Sequence, residues 1–126
     1  MIKNFRFELS FKNITQLENK LNFCRLNEIK NINIPCKGVI KKELFNSTFN
    51  YISKNFHEFN VTYHYSLYHQ YSKNKNKSYQ DFLDFIKNSH TNRNYEILLV
   101  SGSNKKKNFD SIDVLGYLKK EKNLKV

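Results

Sequence analysis

Short strand-patterned runs alternate with longer helix-patterned runs along the whole chain, and this alternation restricts the fold more than any other feature. "FRFELSF" (5–11) sets Phe5, Phe7, Leu9 and Phe11 against Arg6, Glu8 and Ser10, the period of a strand with one apolar face. "ITQLENKLNFCRL" (14–26) places Ile14, Leu17, Leu21 and Cys24 at helical spacing behind Asn13, a residue type that caps helix N-termini. "KNINIP" (30–35) is a short strand stopped by the only proline. "KKELFNSTFNYISKNF" (41–56) carries Leu44, Phe45, Phe49, Ile52 and Phe56 on one helical face. "FNVTYHYSL" (59–67) is rich in β-branched and aromatic residues and reads as a strand. "HQYSKNKNKS" (69–78) reads as a polar loop. "SYQDFLDFIKNS" (78–89) reads as a helix with Ser78 at its N-cap and Phe82, Phe85 and Ile86 facing inward. "YEILLVS" (95–101) is a continuous apolar run, the kind buried on both faces of a parallel sheet. "DSIDVLGYLKK" (110–120) is a helix opened by acid and closed by Lys119 and Lys120, as the helix dipole prefers.

Four consecutive βα units follow, with strands beginning near residues 5, 30, 60 and 95. Right-handed crossovers between such units make a parallel α/β sheet covered by helices. A complete (β/α)8 barrel takes about 250 residues, and this chain has 126. Residues 1–126 therefore read as one domain, half of a TIM-type (β/α)8 barrel. The alternative is a small open doubly wound parallel sheet. A half barrel would leave its first and fourth strands as apolar edges, which invite pairing with another chain. Self-association, or a missing C-terminal half, is the corresponding expectation.

Charge must be weighed before function. The chain carries +11, with 22 basic and 11 acidic side chains. Nineteen of the basic residues are Lys, and only Arg6, Arg25 and Arg93 are Arg. Bidentate reading of phosphate and guanine favours Arg. Asn is as common as Lys while Ala is absent, a bias expected of an AT-rich coding sequence. Nucleic acid is therefore an unlikely partner. Cys24 and Cys36 match no metal-ligand spacing, and no His pair does either, so no metal is expected. The first residues contain no long apolar run, so neither a secretory signal nor a membrane span is expected, and the setting expected is cytoplasmic.

The strand ends, in order, are "FELS", "NIPCKG", "HYSL" and "LLVSGS". In α/β barrels the strand C-termini and the loops after them carry the chemistry. This series resembles the N-terminal half of the methylenetetrahydrofolate reductase family, as a divergent branch. "FEL" (7–9), "NIPCKG" (33–38), "HYS" (64–66) and "LVSGS" (99–103) stand where that family has its Phe-Glu, polar-turn, His-centred and Leu-x-Gly strand ends.

The resemblance implies a flavin-dependent oxidoreductase of one-carbon metabolism, with FAD as cofactor, NAD(P)H as electron donor and a folate-like substrate. Glu8 then matches the catalytic acid. His64 matches the His that lies against the flavin, with Ser66 in the same segment. Ser101, Gly102 and Ser103 form the loop that lets the flavin approach the backbone. Where the family has Leu-Arg-Gly-Asp, this chain has Val100, Ser101, Gly102 and Ser103. The Gly survives and the Asp does not. A catalytically inactive remnant that binds a ligand or partner at the same barrel end is thus the second expectation. An acid working at neutral pH needs a raised pKa, and a mouth walled by Phe and Tyr is expected to supply it by desolvation.

Overall fold

The computed structural model describes residues 5–36, 40–87, 95–101 and 109–120. The elements run β1 (Phe7–Glu8), α1 (Ile14–Leu26), β2 (Asn31–Pro35), α2 (Lys42–Asn55), β3 (Asn60–Ser66), α3 (Leu67–Gln70), α4 (Lys75–Lys87), β4 (Tyr95–Val100) and α5 (Ser111–Leu118). The four strands form one sheet in the order β1-β2-β3-β4, and every pairing is parallel. The α/β class and the four βα units stand as the sequence suggests.

Local signals account for the element ends. Asn13 accepts from the Gln16 backbone N–H at 2.9 Å and starts α1. Asp110 and Asp113 form a reciprocal capping box at α5, with the Asp113 N–H to Asp110 Oδ1 at 3.0 Å and the Asp110 N–H to Asp113 Oδ2 at 3.0 Å. The helix expected from residue 78 begins a turn earlier. Asn74 accepts from the Lys77 N–H at 2.9 Å and is the working cap. Ser78 instead sits inside α4, where its hydroxyl accepts from the Ser72 N–H at 2.9 Å and donates to the Ser72 carbonyl at 3.0 Å. The supposed loop 69–78 thus holds the end of α3 and the first turn of α4.

The described helices all contribute to one buried cluster and so lie in one layer. Tyr63 and Tyr65 on β3 pack against Phe45 and Phe49 of α2 and Phe82 and Phe85 of α4, with ring centroids 5.0–6.2 Å apart. Tyr51 of α2 donates to Glu18 of α1, and the Arg25 guanidinium of α1 lies 4.5 Å over the Phe56 ring. Tyr79 of α4 meets Tyr117 of α5 at 4.9 Å. Ile32, Ile34, Val61, Tyr63 and Tyr65 all join this single core.

The other sheet face has no helix over it among the described residues. Burial along β2 and β3 therefore alternates as far as Ile34 and Tyr65, beyond which Pro35 and Ser66 are buried as well, and along β4 half-buried Tyr95, Ile97 and Leu99 alternate with exposed Glu96, Leu98 and Val100. This corrects the expectation of a fourth strand buried on both faces: the run is apolar throughout, but only one side is covered. The first strand is also shorter than its seven-residue pattern. β1 has a neighbour on one side only, and beyond Glu8 the ladder continues with a single bond from the Leu9 N–H to the Asn33 carbonyl at 3.0 Å. Leu9 and Phe11 then turn into the core.

Candidate functional site

Register sets what the uncovered face presents. Glu8 pairs with Asn33, Asn33 with Thr62 and Thr62 with Glu96, so these four form one row across the sheet. The next row toward the strand C-termini is Pro35, His64 and Leu98. The last is Ser66 and Val100. At the other end Asn60 Nδ2 donates to Asn31 Oδ1 at 3.0 Å, a cross-strand amide pair.

Glu8 and His64 therefore share the uncovered face. They stand two strands apart and one row apart, which puts their Cα atoms roughly 12 Å from each other at standard strand spacing. Glu8 is exposed and His64 half-buried. The aromatic wall expected around Glu8 is on the opposite face, because Phe45, Phe49, Tyr63 and Tyr65 point into the helix layer. Desolvation by Phe and Tyr is thus not supplied to this carboxylate.

The serines of the expected site already have local partners. Ser66 Oγ accepts from the His69 N–H at 3.4 Å and caps α3. Ser101 Oγ accepts from the Ser111 N–H at 2.9 Å and donates to Ser111 Oγ at 3.1 Å, tying the end of β4 to the start of α5. Gly102 and Ser103 lie outside the described residues. The expected acid Glu8 and the expected flavin contact His64 thus share the open face, while the Ser66 and Ser101 hydroxyls are spent on helix starts.

Two cavities were not foreseen. One, of 290 Å³, lies on the uncovered face at the N-terminal ends of the strands, lined by Arg6, Asn31, Asn60, Thr62, Tyr95 and Glu96. Arg6 reaches across the sheet there, donating to Asn33 Oδ1 at 2.8 Å and to the carbonyls of Ile32 and Asn60 at 2.9 and 3.1 Å. Its sequence signal was the polar member of each alternating pair in "NINI" and "NVTYHYS". The second cavity, of 400 Å³, lies between α2 and α4 and is lined by Lys42, Asn46, Gln70, Ser72, Lys77 and Asp81 among others.

The polar groups of that second cavity largely satisfy one another. Asp81 accepts from Ser72 Oγ at 2.6 Å and Lys77 Nζ at 2.9 Å, with Lys42 Nζ at 3.8 Å. Burial works to raise the Asp81 carboxyl, but the hydrogen bonds from Ser72 and Lys77 and the charges of Lys77 and Lys42 outweigh it and hold it below the ordinary carboxylate range. Gln70 Nε2 donates to Asn46 Oδ1 at 3.0 Å and lies 3.4 Å from Cys36 Sγ. Burial pushes the Cys36 thiol up to about 11, against smaller opposing effects of Gln70 and Lys42. This cluster is a clamp that joins α2 to the α3–α4 connection, and its thiol is not a nucleophile at neutral pH.

Among the described residues there is no cluster of His, Cys, Asp and Glu suited to a metal ion. Among the same residues no helix is long and apolar enough to cross a membrane. Set against models of protein families, curated proteins and solved structures, the chain matches none of them.

Proposed function

We propose that the four βα units are one half of a (β/α)8-type barrel and that the uncovered sheet face is a ligand-binding surface. One observation carries this reading: an all-parallel sheet, normally covered on both faces, has here one face without a helix among the described residues, lined by Glu8, Asn33, Thr62, His64 and Glu96. In a barrel the helices lie outside and the other face looks into the lumen, which is the same division of faces. Consecutive strand order with a single helix layer also supports a half barrel over a doubly wound sheet, whose order reverses and whose helices cover both faces.

The ligand to test first is FAD, with NAD(P)H as donor and a folate-like substrate, as the resemblance to the reductase family suggests. Binding without catalysis is the better supported of the two classes. Proton donation at neutral pH needs a desolvated carboxyl, and Glu8 is exposed. The full chain is to be titrated with FAD while thermal unfolding and the flavin spectrum are followed, then given NADPH and a folate substrate. A ligand that prefers the folded state raises the melting temperature. The expected result is a rise with FAD and no turnover. No rise at saturating FAD defeats the flavin reading, and turnover defeats the non-catalytic one.

A further inference from the structure

The large apolar side chains left exposed are not scattered. All eight among the described residues fall at the two open ends of the sheet. Phe5, Phe7, Phe23 and Leu26 belong to the β1–α1 end, and Leu98, Val100, Ile112 and Leu115 to the β4–α5 end. The described residues of the middle units expose none. Each flanking helix contributes a pair spaced i, i+3, which occupies one stripe of a helix.

The direction of these stripes follows from the helix contacts. Tyr117 of α5 faces α4 through Tyr79. Leu115, two residues before it and about 200° around a helix of 3.6 residues per turn, points to the opposite flank, where a fifth βα unit would pack. On α1 the contacts to α2 run through Glu18, which accepts from Tyr51, and Arg25, which donates to the Asn55 carbonyl at 3.3 Å. Phe23 is turned about 160° from Arg25 by the same geometry. It lines a notch of 320 Å³ with Phe7, Leu9 and Cys24, together with the polar Glu8, Asn19 and Lys20. The outer ladder edges of β1 and β4 are unpaired by any described strand.

We propose that a second copy of this chain closes the sheet, the β4–α5 end of each protomer packing on the β1–α1 end of the other. The inference rests on the half-barrel reading above. Both halves of the interface lie on the same chain, so an identical partner is sufficient. β4 and the partner's β1 then pair in parallel, as every other neighbour in the sheet does, and Ile112 and Leu115 of one copy cover the notch beside Phe23 of the other. The contact is head-to-tail, and such contacts form a ring only if the rotation closes. Four strands per copy make two copies the closing number for an eight-stranded barrel.

The experiment is sedimentation of the full chain and two variants, Phe23→Glu and Ile112→Glu. These side chains are 62% and 77% exposed, so neither substitution disturbs the protomer, and circular dichroism verifies this. The wild type is expected at twice 15.2 kDa. Each variant alone is expected as a monomer, because both interfaces of a closed pair then carry one glutamate. An equimolar mixture is expected to regain dimer, since one of its two interfaces is free of substitutions. A monomeric wild type overturns the proposal. So does an assembly larger than two, or a dimer sensitive to only one of the substitutions. Mass is independent of FAD titration, so failure of dimerisation and failure of flavin binding are read separately.

Discussion

Tyr63 offers a test of the core that needs no ligand. Its side chain is fully buried, and its hydroxyl is the one buried side-chain polar atom among the described residues without a hydrogen-bond partner. The ring is held by Phe49 at 5.0 Å and Phe45 at 6.0 Å, and both contacts survive replacement by Phe. An unpaired buried hydroxyl costs about 1–3 kcal/mol. Losing the packing of one oxygen returns less than about 1 kcal/mol of that. Tyr63→Phe is therefore expected to stabilise the fold by about 1 kcal/mol, or about 4 °C in melting temperature for a domain of this size.

Alkaline pH sharpens the same test. Burial raises the Tyr63 pKa well above its ordinary value. The unfolded chain ionises this tyrosine near pH 10 while the folded chain keeps it protonated, so wild-type stability is full below pH 10 and falls above it. The variant lacks this one proton. Its advantage is expected to grow by about 1.4 kcal/mol for each pH unit above 10. Tyr65, raised in the same direction chiefly by burial, titrates in both proteins and cancels. Urea midpoints at pH 7, 10 and 11, with an unchanged slope, give both quantities. A loss of 1 kcal/mol or more at pH 7 refutes the reasoning, since it means the hydroxyl makes a bond.

Three further outcomes follow from the clamp, the thiols and the open face. Asp81→Asn is expected to cost roughly 1–2 kcal/mol at pH 7, the worth of its charge-assisted bonds; because the folded-state carboxyl is held low, urea melts should show the difference intact above about pH 4 and shrinking as pH falls further. Cys24 and Cys36, both buried and both raised by burial, are expected to resist a thiol reagent at pH 7 and to react at once in urea; fast labelling of the native protein contradicts the packing. Glu8→Gln is expected to leave FAD affinity within about twofold, because an exposed carboxylate contributes little to holding a ligand; a loss of tenfold or more, read from the flavin spectrum, makes Glu8 a binding residue.

The order of elements was legible in the sequence because it rests on period alone. α1 occupies the expected 14–26, and the other three strands begin within a residue of their expected starts. Misreadings arose where the Lys and Asn bias hid a local signal. Asn74 caps α4, but nothing distinguishes it from the other asparagines of a polar stretch. β4 looked buried on both sides because Leu98 and Val100 are as apolar as the covered Ile97 and Leu99. These two positions stand on the uncovered face beside His64 and Ser66, so their apolarity marks no second layer. The site was legible only in part. Alternation places Glu8 and His64 on one face, but no one-dimensional pattern states which face the helices take. That choice followed from the crossovers and left the aromatic residues on the far side.

Sequential strand order also governs how the chain can open and fold. Each strand pairs only with its neighbours in the sheet, so cooperativity in the ladder travels along a line. β2 and β3 each have a strand on both sides and the Phe45, Phe49, Tyr63 and Tyr65 cluster beneath them. β1 contributes two ladder residues at one end of the line. Amide exchange is then graded by position. It is slowest at Val61, Tyr63 and Tyr65 and fastest in the ladder at Phe7 and Glu8, which open without the rest. A pairing partner at the outer edges would flatten that gradient from its ends inward, leaving the already closed centre unchanged.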